Sequence, residues 1–357
     1  MNATHQHFRD SGVIGDIAGR AVLLHFGDVA GEYAALSTGA FVVDRSYRGR
    51  AEVTGPKAAE SVNGLVTNDV MSLQPGTGAY AAILTAKGKI LADVRVFRRS
   101  DGLLLDTSPR SAQALRDTLK KFINPRVAPQ RDVSDTLMNL GVFGPRAATV
   151  IAEAVGVSAD ALAALPLYGH LATDWSGGSV MIARVPDLSV PGFEMFMPPE
   201  HFSALNDRLV IAGAIPGGFS AFEIARVEAG RPEWGIDMDD STIPQEANFD
   251  ELGAISYTKG CYTGQETVAR VHFRGHVNRH LRGLRLPAGS ELPSAKSELV
   301  DDEGKVVGDV RSSALSPRVG PIAIAMVRRE IPLGASITVR SGELSLRAAV
   351  VALPFVL

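Results

Sequence analysis

T-K-G-C-Y-T-G-Q-E, residues 258–266, holds Cys261, the only cysteine among the 357 residues of the chain. Glycine at 260 and 264 lets backbone approach a ligand closely, and Lys259 beside the thiol favours the thiolate. A free cysteine is more often a small buried hydrophobe, so the sulfur alone decides nothing. Its neighbours Lys259, Gln265 and Glu266 are what mark this segment as the one that carries function.

The rest of the chain bounds the setting. A composition 45% hydrophobic and 21% charged is ordinary for globular protein, and the length fits two or three domains. A single cysteine excludes an intramolecular disulfide and an Fe–S cluster held by four thiolates of one chain. The net charge of −3 supplies no field to recruit nucleic acid. Met1 to Asp10 is polar, with His5, His7 and Arg9, and lacks the apolar core of a signal peptide. No run approaches the roughly 18 apolar residues of a membrane span. A cytoplasmic protein with no membrane partner is expected.

Outward from the cysteine segment, the first third mixes short strands with helices. Ala40 to Asp44 and Ala51 to Thr54 read as strands around the polar loop Arg45–Gly49. Ala79 to Leu84 and Ile90 to Phe97 form a hairpin whose turn contains Gly88. Ser108 and Pro109 open a helix carrying Leu115, Leu119 and Phe122 at helical spacing. Gly144-Pro145 starts an alanine-rich helix that ends at Gly156. Strands follow near Val180–Val185 and Phe193–Met197, then a helix from Pro198-Pro199 to Gly213. Ser220 and Glu223 make a capping box for a helix to about Ala229. From Leu281 short strands and turns at Glu303-Gly304 and Ser341-Gly342 predict a small antiparallel barrel or sandwich, with the boundary in 282–293. The class is α+β.

Two polar stretches flank the cysteine segment. The loop after the Ser220 helix holds Asp237, Asp239, Asp240 and Glu246, but lacks the glycine and distal glutamate of a calcium loop. Beyond it, Arg270, His272, Arg274 and His276 alternate with apolar residues and glycine, the period of a strand. His272, His276 and His280 would need a helix to share a metal, which Gly275 opposes. No metal site is therefore expected. The strip suits a small polycarboxylate better than single-stranded nucleic acid, for which Phe273 is the only interleaved aromatic. No P-loop, G-x-S-x-G elbow or H-E-x-x-H motif occurs.

K-G-C-Y-T-G-Q-E at 259–266 resembles the signature of the YgfZ-type folate-binding proteins, relatives of the glycine-cleavage T-protein (aminomethyltransferase) that serve Fe–S cluster assembly or repair. L-V-T-N-D-V at 65–70, G-A-Y-A-A-I-L with K-G-K-I-L-A-D at 87–93, and R-V-E-A-G-R-P-E-W-G-I-D-M at 226–238 are similar to family segments in the same order. The resemblance implies a multidomain fold around a central hole. Residues 1–137 with 214–281 would form a discontinuous folate-binding domain, 138–213 a ferredoxin-like domain and 282–357 a β-barrel. It also implies tetrahydrofolate as cofactor. Glu194 would accept from the pteridine amino edge, and Arg226 would pair with the glutamyl carboxylates. Tyr80, Asn68 and Asp69 would line the ligand, and Asp93 would stand where the T-protein carries paired aspartates.

Ala92 replaces the other carboxylate of that pair, which turns expectation away from aminomethyl transfer. The function implied is a folate-binding accessory protein, without conventional turnover, acting with Fe–S assembly proteins or their client enzymes. Cys261 would be an exposed, partly ionised thiol close to the folate, within the motif of Lys259, Gly260, Gly264, Gln265 and Glu266. The alternatives are a true aminomethyltransferase, and more remotely a folate protein linked to tRNA modification.

Overall fold

Gly88 turns back the hairpin of Thr77–Leu84 and Ile90–Arg99, with φ at +75°, where an L side chain is strained. This hairpin begins a five-stranded antiparallel sheet that continues through Gly102–Thr107, Gly49–Thr54 and Gln130–Asp132. Helices Ala58–Asn63 and Ala112–Phe122 cover one face, burying Val62, Leu115 and Leu119 against Val53, Ile83 and Leu105. Phe122, at 54% exposed, falls outside that contact. Ser108 and Pro109 form a turn instead of the first helical turn, and the helix starts at Ala112. The computed structural model describes residues 12–356, so the polar stretch Met1–Asp10 lies outside the described residues.

A second sheet runs in the order His170–Trp175, Gly178–Arg184, Gly192–Met197, Met138–Phe143, Ala40–Asp44, Ala214–Pro216. Two of its strands come from outside 138–213. Ala40–Asp44 pairs antiparallel with Met138–Phe143, and Ala214–Pro216 pairs parallel with Ala40–Asp44. Helices Ala147–Val155 and Pro199–Ile211 pack on one face over Val142, Ile182 and Met195. Gly156 ends the first of them in the left-handed region, as its position predicts.

The third unit is a closed barrel of Arg279–Arg285, Gly320–Arg328, Val306–Ser316, Glu298–Val300, Ser336–Ser341 and Leu344–Val351. Strand Arg279–Arg285 pairs with both Gly320–Arg328 and Leu344–Val351, which closes the ring. Leu284, Val310, Ala325, Val339 and Val350 fill it. The barrel thus begins before the glycine- and proline-rich interval 282–293.

Helix Phe219–Glu228 packs against helix Val29–Thr38 and barrel strand Val306–Ser316. Tyr33 donates to both oxygens of Glu228, at 2.7 and 2.8 Å. The expected Ser220–Glu223 capping box does not form. The helix starts at Phe219, and Glu223 instead accepts from Arg226 at 2.6 and 2.8 Å. Glu32 takes over the N-terminal end by accepting from the Gly218 amide at 2.9 Å. The alternation at 270–276 also misleads. Gln265–Arg274 is an α-helix stopped at Gly275, and His272 lies flat on Tyr257, with ring centroids 3.6 Å apart. No helix among the described residues is long and apolar enough to cross a membrane.

Candidate active site

The two sheets and helix Phe219–Glu228 meet at a narrow cleft of about 40 Å³, open to solvent at one side and walled by Tyr80, Asp93, Tyr168, Phe222 and a set of arginines. Its floor is a lattice of buried charges. Arg45 donates to Glu194 at 3.0 Å and to Asp187 at 2.7 Å; Arg95 reaches the same two carboxylates at 3.1 Å each. Arg95 and Arg48 share Asp106, at 2.5 and 2.6 Å. Cations and anions that alternate this closely offset most of each other's charge, although Asp106 Oδ2 is buried without a partner, and removing one strands its neighbour. Burial works against charge on Asp187, yet Arg95 and Arg45 hold its carboxyl down at about 2.

Asp93 stands apart from that lattice. Strand register sets Ala82 opposite Asp93 and Tyr80 opposite Arg95, so Tyr80 lies diagonally across on the same face. Its hydroxyl donates to Asp93 Oδ2 at 2.9 Å, while Oδ1 is buried with no partner. Burial, with Glu233 nearby, pushes the Asp93 carboxyl up to about 6 against the opposing pull of Arg48 and Tyr80. An acid poised near neutrality on a residue that lines a cleft, with one oxygen unengaged, is suited to proton transfer.

The aromatic wall is equally ordered. Tyr80 and Tyr168 stack at 6.2 Å with 15° between planes, and Phe249 supports Tyr80 at 5.2 Å. Tyr168 adopts φ +62°, strained for a residue with a side chain, and its hydroxyl accepts from Arg231 at 3.0 Å.

The sequence-derived residues fall into three groups. Asp93, Tyr80 and Arg226 line the cleft. Glu194 lies beneath it, fully buried; Arg45 and Arg95 bond one carboxylate oxygen, and Asn139 donates to the other. All five N–H donors of Arg226 are engaged, with Glu223, Asp237, Ser312 and the Arg231 carbonyl. Asn68, Asp69 and the cysteine motif are elsewhere. Asn68 donates to the carbonyls of Tyr80 and Gly253, and Asp69 accepts from the amides of Met71 and Ser72.

Lys259 is a clamp. Its ammonium reaches the carbonyls of Asn63 and Val66 at 2.6 Å and of Asn68 at 2.9 Å, and burial lowers its pKa to about 8. Gly264 sits at φ +84°, where a Cβ would lie 2.6 Å from the Thr85 carbonyl oxygen, so helix Gln265–Arg274 can press onto the Gly88 turn. Gly260 is exposed with open space around it, Gln265 accepts from the Tyr262 amide, and Glu266 is exposed in the first helical turn. Cys261 is exposed and does not line the cleft. Among the described residues no group of three or more His, Cys, Asp or Glu side chains could hold a metal.

Sequence reasoning missed Arg48, Arg95, Asp187, Tyr168, Arg231 and Glu233. One signal was available: R-S-Y-R-G-R at 45–50 places Arg45 and Arg48 between two buried strands and Arg50 within the second, an arrangement that requires buried acceptors elsewhere. Arg48 and Arg231 also retain unengaged donors. Among the described residues, Arg48 donates through Nε alone, to Asp106, and Arg231 through one terminal nitrogen, to Tyr168.

An α+β architecture of two sheets and a closing barrel around a charged, aromatic cleft defines a recognisable class. Residues 5–255 match the GCVT N-terminal domain, and residues 279–356 match the glycine cleavage T-protein C-terminal barrel domain. The chain belongs to the glycine cleavage T-protein family. It is 30% identical to an aminomethyltransferase of Streptomyces coelicolor, over 92% of this chain and 88% of that one. It is 28% identical to an aminomethyltransferase of Ralstonia pickettii, over 100% and 96%. The crystal structure of glycine cleavage system aminomethyltransferase T from Bartonella henselae shares the fold, with a TM-score of 0.84 and 24% identity over 99% of this chain and 96% of that one.

These matches overturn the expectation of an accessory protein for Fe–S assembly, and with it that of Fe–S partners. The relatives along nearly the whole chain are aminomethyltransferases, and Ala92 does not set this protein apart from them in fold or domain content. The site gives the physical reason. Asp93 lines the cleft and keeps an unengaged carboxylate oxygen although Ala92 precedes it, whereas Cys261 lies outside the cleft.

Proposed function

We propose that this protein is a tetrahydrofolate-dependent aminomethyltransferase, with Asp93 as the proton-handling group. The observation that carries the reading is the buried, unpartnered Asp93 Oδ1 beside the stacked Tyr80–Tyr168 wall. A reduced folate is the cofactor that accompanies this family, and the donor set suits it. A carboxylate oxygen is available for ring N–H groups, aromatic faces for a flat ring, and unengaged guanidinium donors on Arg48 and Arg231 for carboxylates. Bound there, the folate supplies the nitrogen that accepts the one-carbon unit.

The chain's own residues then have distinct tasks. Asp93 receives or returns a proton through Oδ1, and the Tyr80 hydroxyl fixes the carboxylate through Oδ2. Tyr80 and Tyr168 orient a planar ligand, and Arg231, itself in the cleft wall, holds Tyr168 by its hydroxyl. We assign Glu194 and Arg226 to positioning. Glu194 holds Arg45 and Arg95 at the floor; Arg226 ties helix Phe219–Glu228 to Asp237 and to Ser312 of the barrel. Lys259 and Gly264 seat the cysteine segment against the first sheet.

The test is a reconstituted assay with aminomethyl-lipoyl carrier protein and tetrahydrofolate, read as methylenetetrahydrofolate formed. The wild type should turn over, and Asp93→Asn should lower the rate at least about 100-fold, as loss of a general acid–base group does. A wild type that binds folate but transfers nothing rules out the activity.

A further inference from the structure

A second cavity, about 640 Å³, opens along the seam between the two sheets and shares no lining residue with the cleft. Leu104 comes from the first sheet and Met181 and Phe196 from the second; with Leu137 they give it an apolar floor. Its size is that of a small-molecule site and some twenty times the volume of one water.

One deep polar side chain stands in the wall beside these apolar residues. His170 is only 7% exposed, stands edge-on to Phe97 at 5.9 Å, and its Nδ1 is buried with no partner. Burial lowers its pKa against the opposing pull of the Tyr168 and Arg98 backbone, which favours the uncharged ring as a hydrogen-bonding group. The cation at the rim is already neutralised. Arg99 bonds Asp101 at 3.0 Å through two nitrogens and Glu52 at 2.8 Å through the third. An anionic ligand therefore finds no free counter-charge here, and a strongly polar one would desolvate against Leu104 and Phe196.

The geometry points to a second ligand site in this seam, for a small neutral aromatic molecule bearing one hydroxyl or N–H group that meets the His170 ring. The cavity lies back to back with the cleft across Tyr168-Gly169-His170, since Tyr168 lines one and His170 the other. The two sites nonetheless use different chemistry: charge and proton transfer in the cleft, apolar burial with one hydrogen bond in the seam.

Titration calorimetry and ligand-observed NMR with 4-methylphenol and toluene, two rings of similar size, test this on the full chain. The phenol should bind saturably and at least ten-fold more tightly than toluene. His170→Phe should erase that preference while toluene still binds. Ala172→Trp, at an exposed position on the cavity wall, should block both probes without disturbing the core and leave tetrahydrofolate affinity unchanged. The site is refuted if neither probe binds the wild type. It is refuted equally if the preference survives in His170→Phe, or if Ala172→Trp binds both probes as before.

Discussion

Tyr80 donates its phenolic proton to Asp93 across 2.9 Å, leaving the other oxygen of that buried carboxylate without a partner among the described residues. The pair joins adjacent strands of the first sheet, so its geometry is held by ladder register and not by a loop. A carboxylate fixed on one oxygen and unengaged on the other is a stressed element, and the stress has measurable consequences.

Asp93 destabilises the fold at neutral pH. Its folded pKa of about 6 lies above the ordinary carboxylate value, so between about pH 4 and 6 the folded state binds more protons than the unfolded one. The contribution of Asp93 to stability therefore falls as pH rises through that window, reaching a penalty of about 3 kcal/mol at pH 7 on ~1.4 kcal/mol per unit. Asp93→Asn should melt at higher temperature than the wild type at pH 7.5 and no higher near pH 4, as thermal unfolding at the two pH values will show.

Tyr80→Phe acts in the opposite sense on the same group. The hydroxyl favours the ionised form of Asp93, and its loss moves the carboxyl further upward. If Asp93 works as a base, the ascending limb of kcat/KM against pH should shift to higher pH in Tyr80→Phe. A limb that stays in place or moves down contradicts the assignment.

Lys259 and Cys261 should separate cleanly. Lys259→Met deletes three part-buried, charge-assisted bonds to backbone carbonyls and should cost about 3 kcal/mol in urea unfolding. Cys261→Ser alters an exposed thiol off the cleft and should change stability by no more than about 0.5 kcal/mol and transfer rate by less than two-fold. Equal effects from the two substitutions would show that the segment serves the thiol and not the clamp.

Glu194→Ala removes the carboxylate that Arg45 and Arg95 share under the cleft. Stranding buried charge costs about 3–5 kcal/mol, so denaturant unfolding should show a loss of that size. A variant of near-normal stability with weakened folate binding would move Glu194 from the floor to the ligand.

Local signals in the chain reached far but not to the cleft floor. The Gly88 hairpin, the Gly156 stop and the strands of the barrel follow from turn residues and alternation alone. The placement of Ala40–Asp44 in the second sheet does not, because its partner strand lies about a hundred residues away and no local pattern encodes the pairing. Helix Gln265–Arg274 was hidden by a chance alternation of charged and apolar residues with only Val268 fully buried. Asp93 could be singled out by resemblance. Asp187 and Tyr168 could not, since each matters only through residues that folding brings beside it. Cys261 attracted notice by its rarity, and Lys259 next to it proved to be the structural anchor.

The most direct test is anaerobic isothermal titration of tetrahydrofolate into the wild type, Asp93→Asn and Cys261→Ser. The account predicts one site per chain in the wild type, affinity reduced at least ten-fold in Asp93→Asn, and an unchanged isotherm in Cys261→Ser. Wild-type affinity in Asp93→Asn, or binding lost only with the thiol, would contradict it.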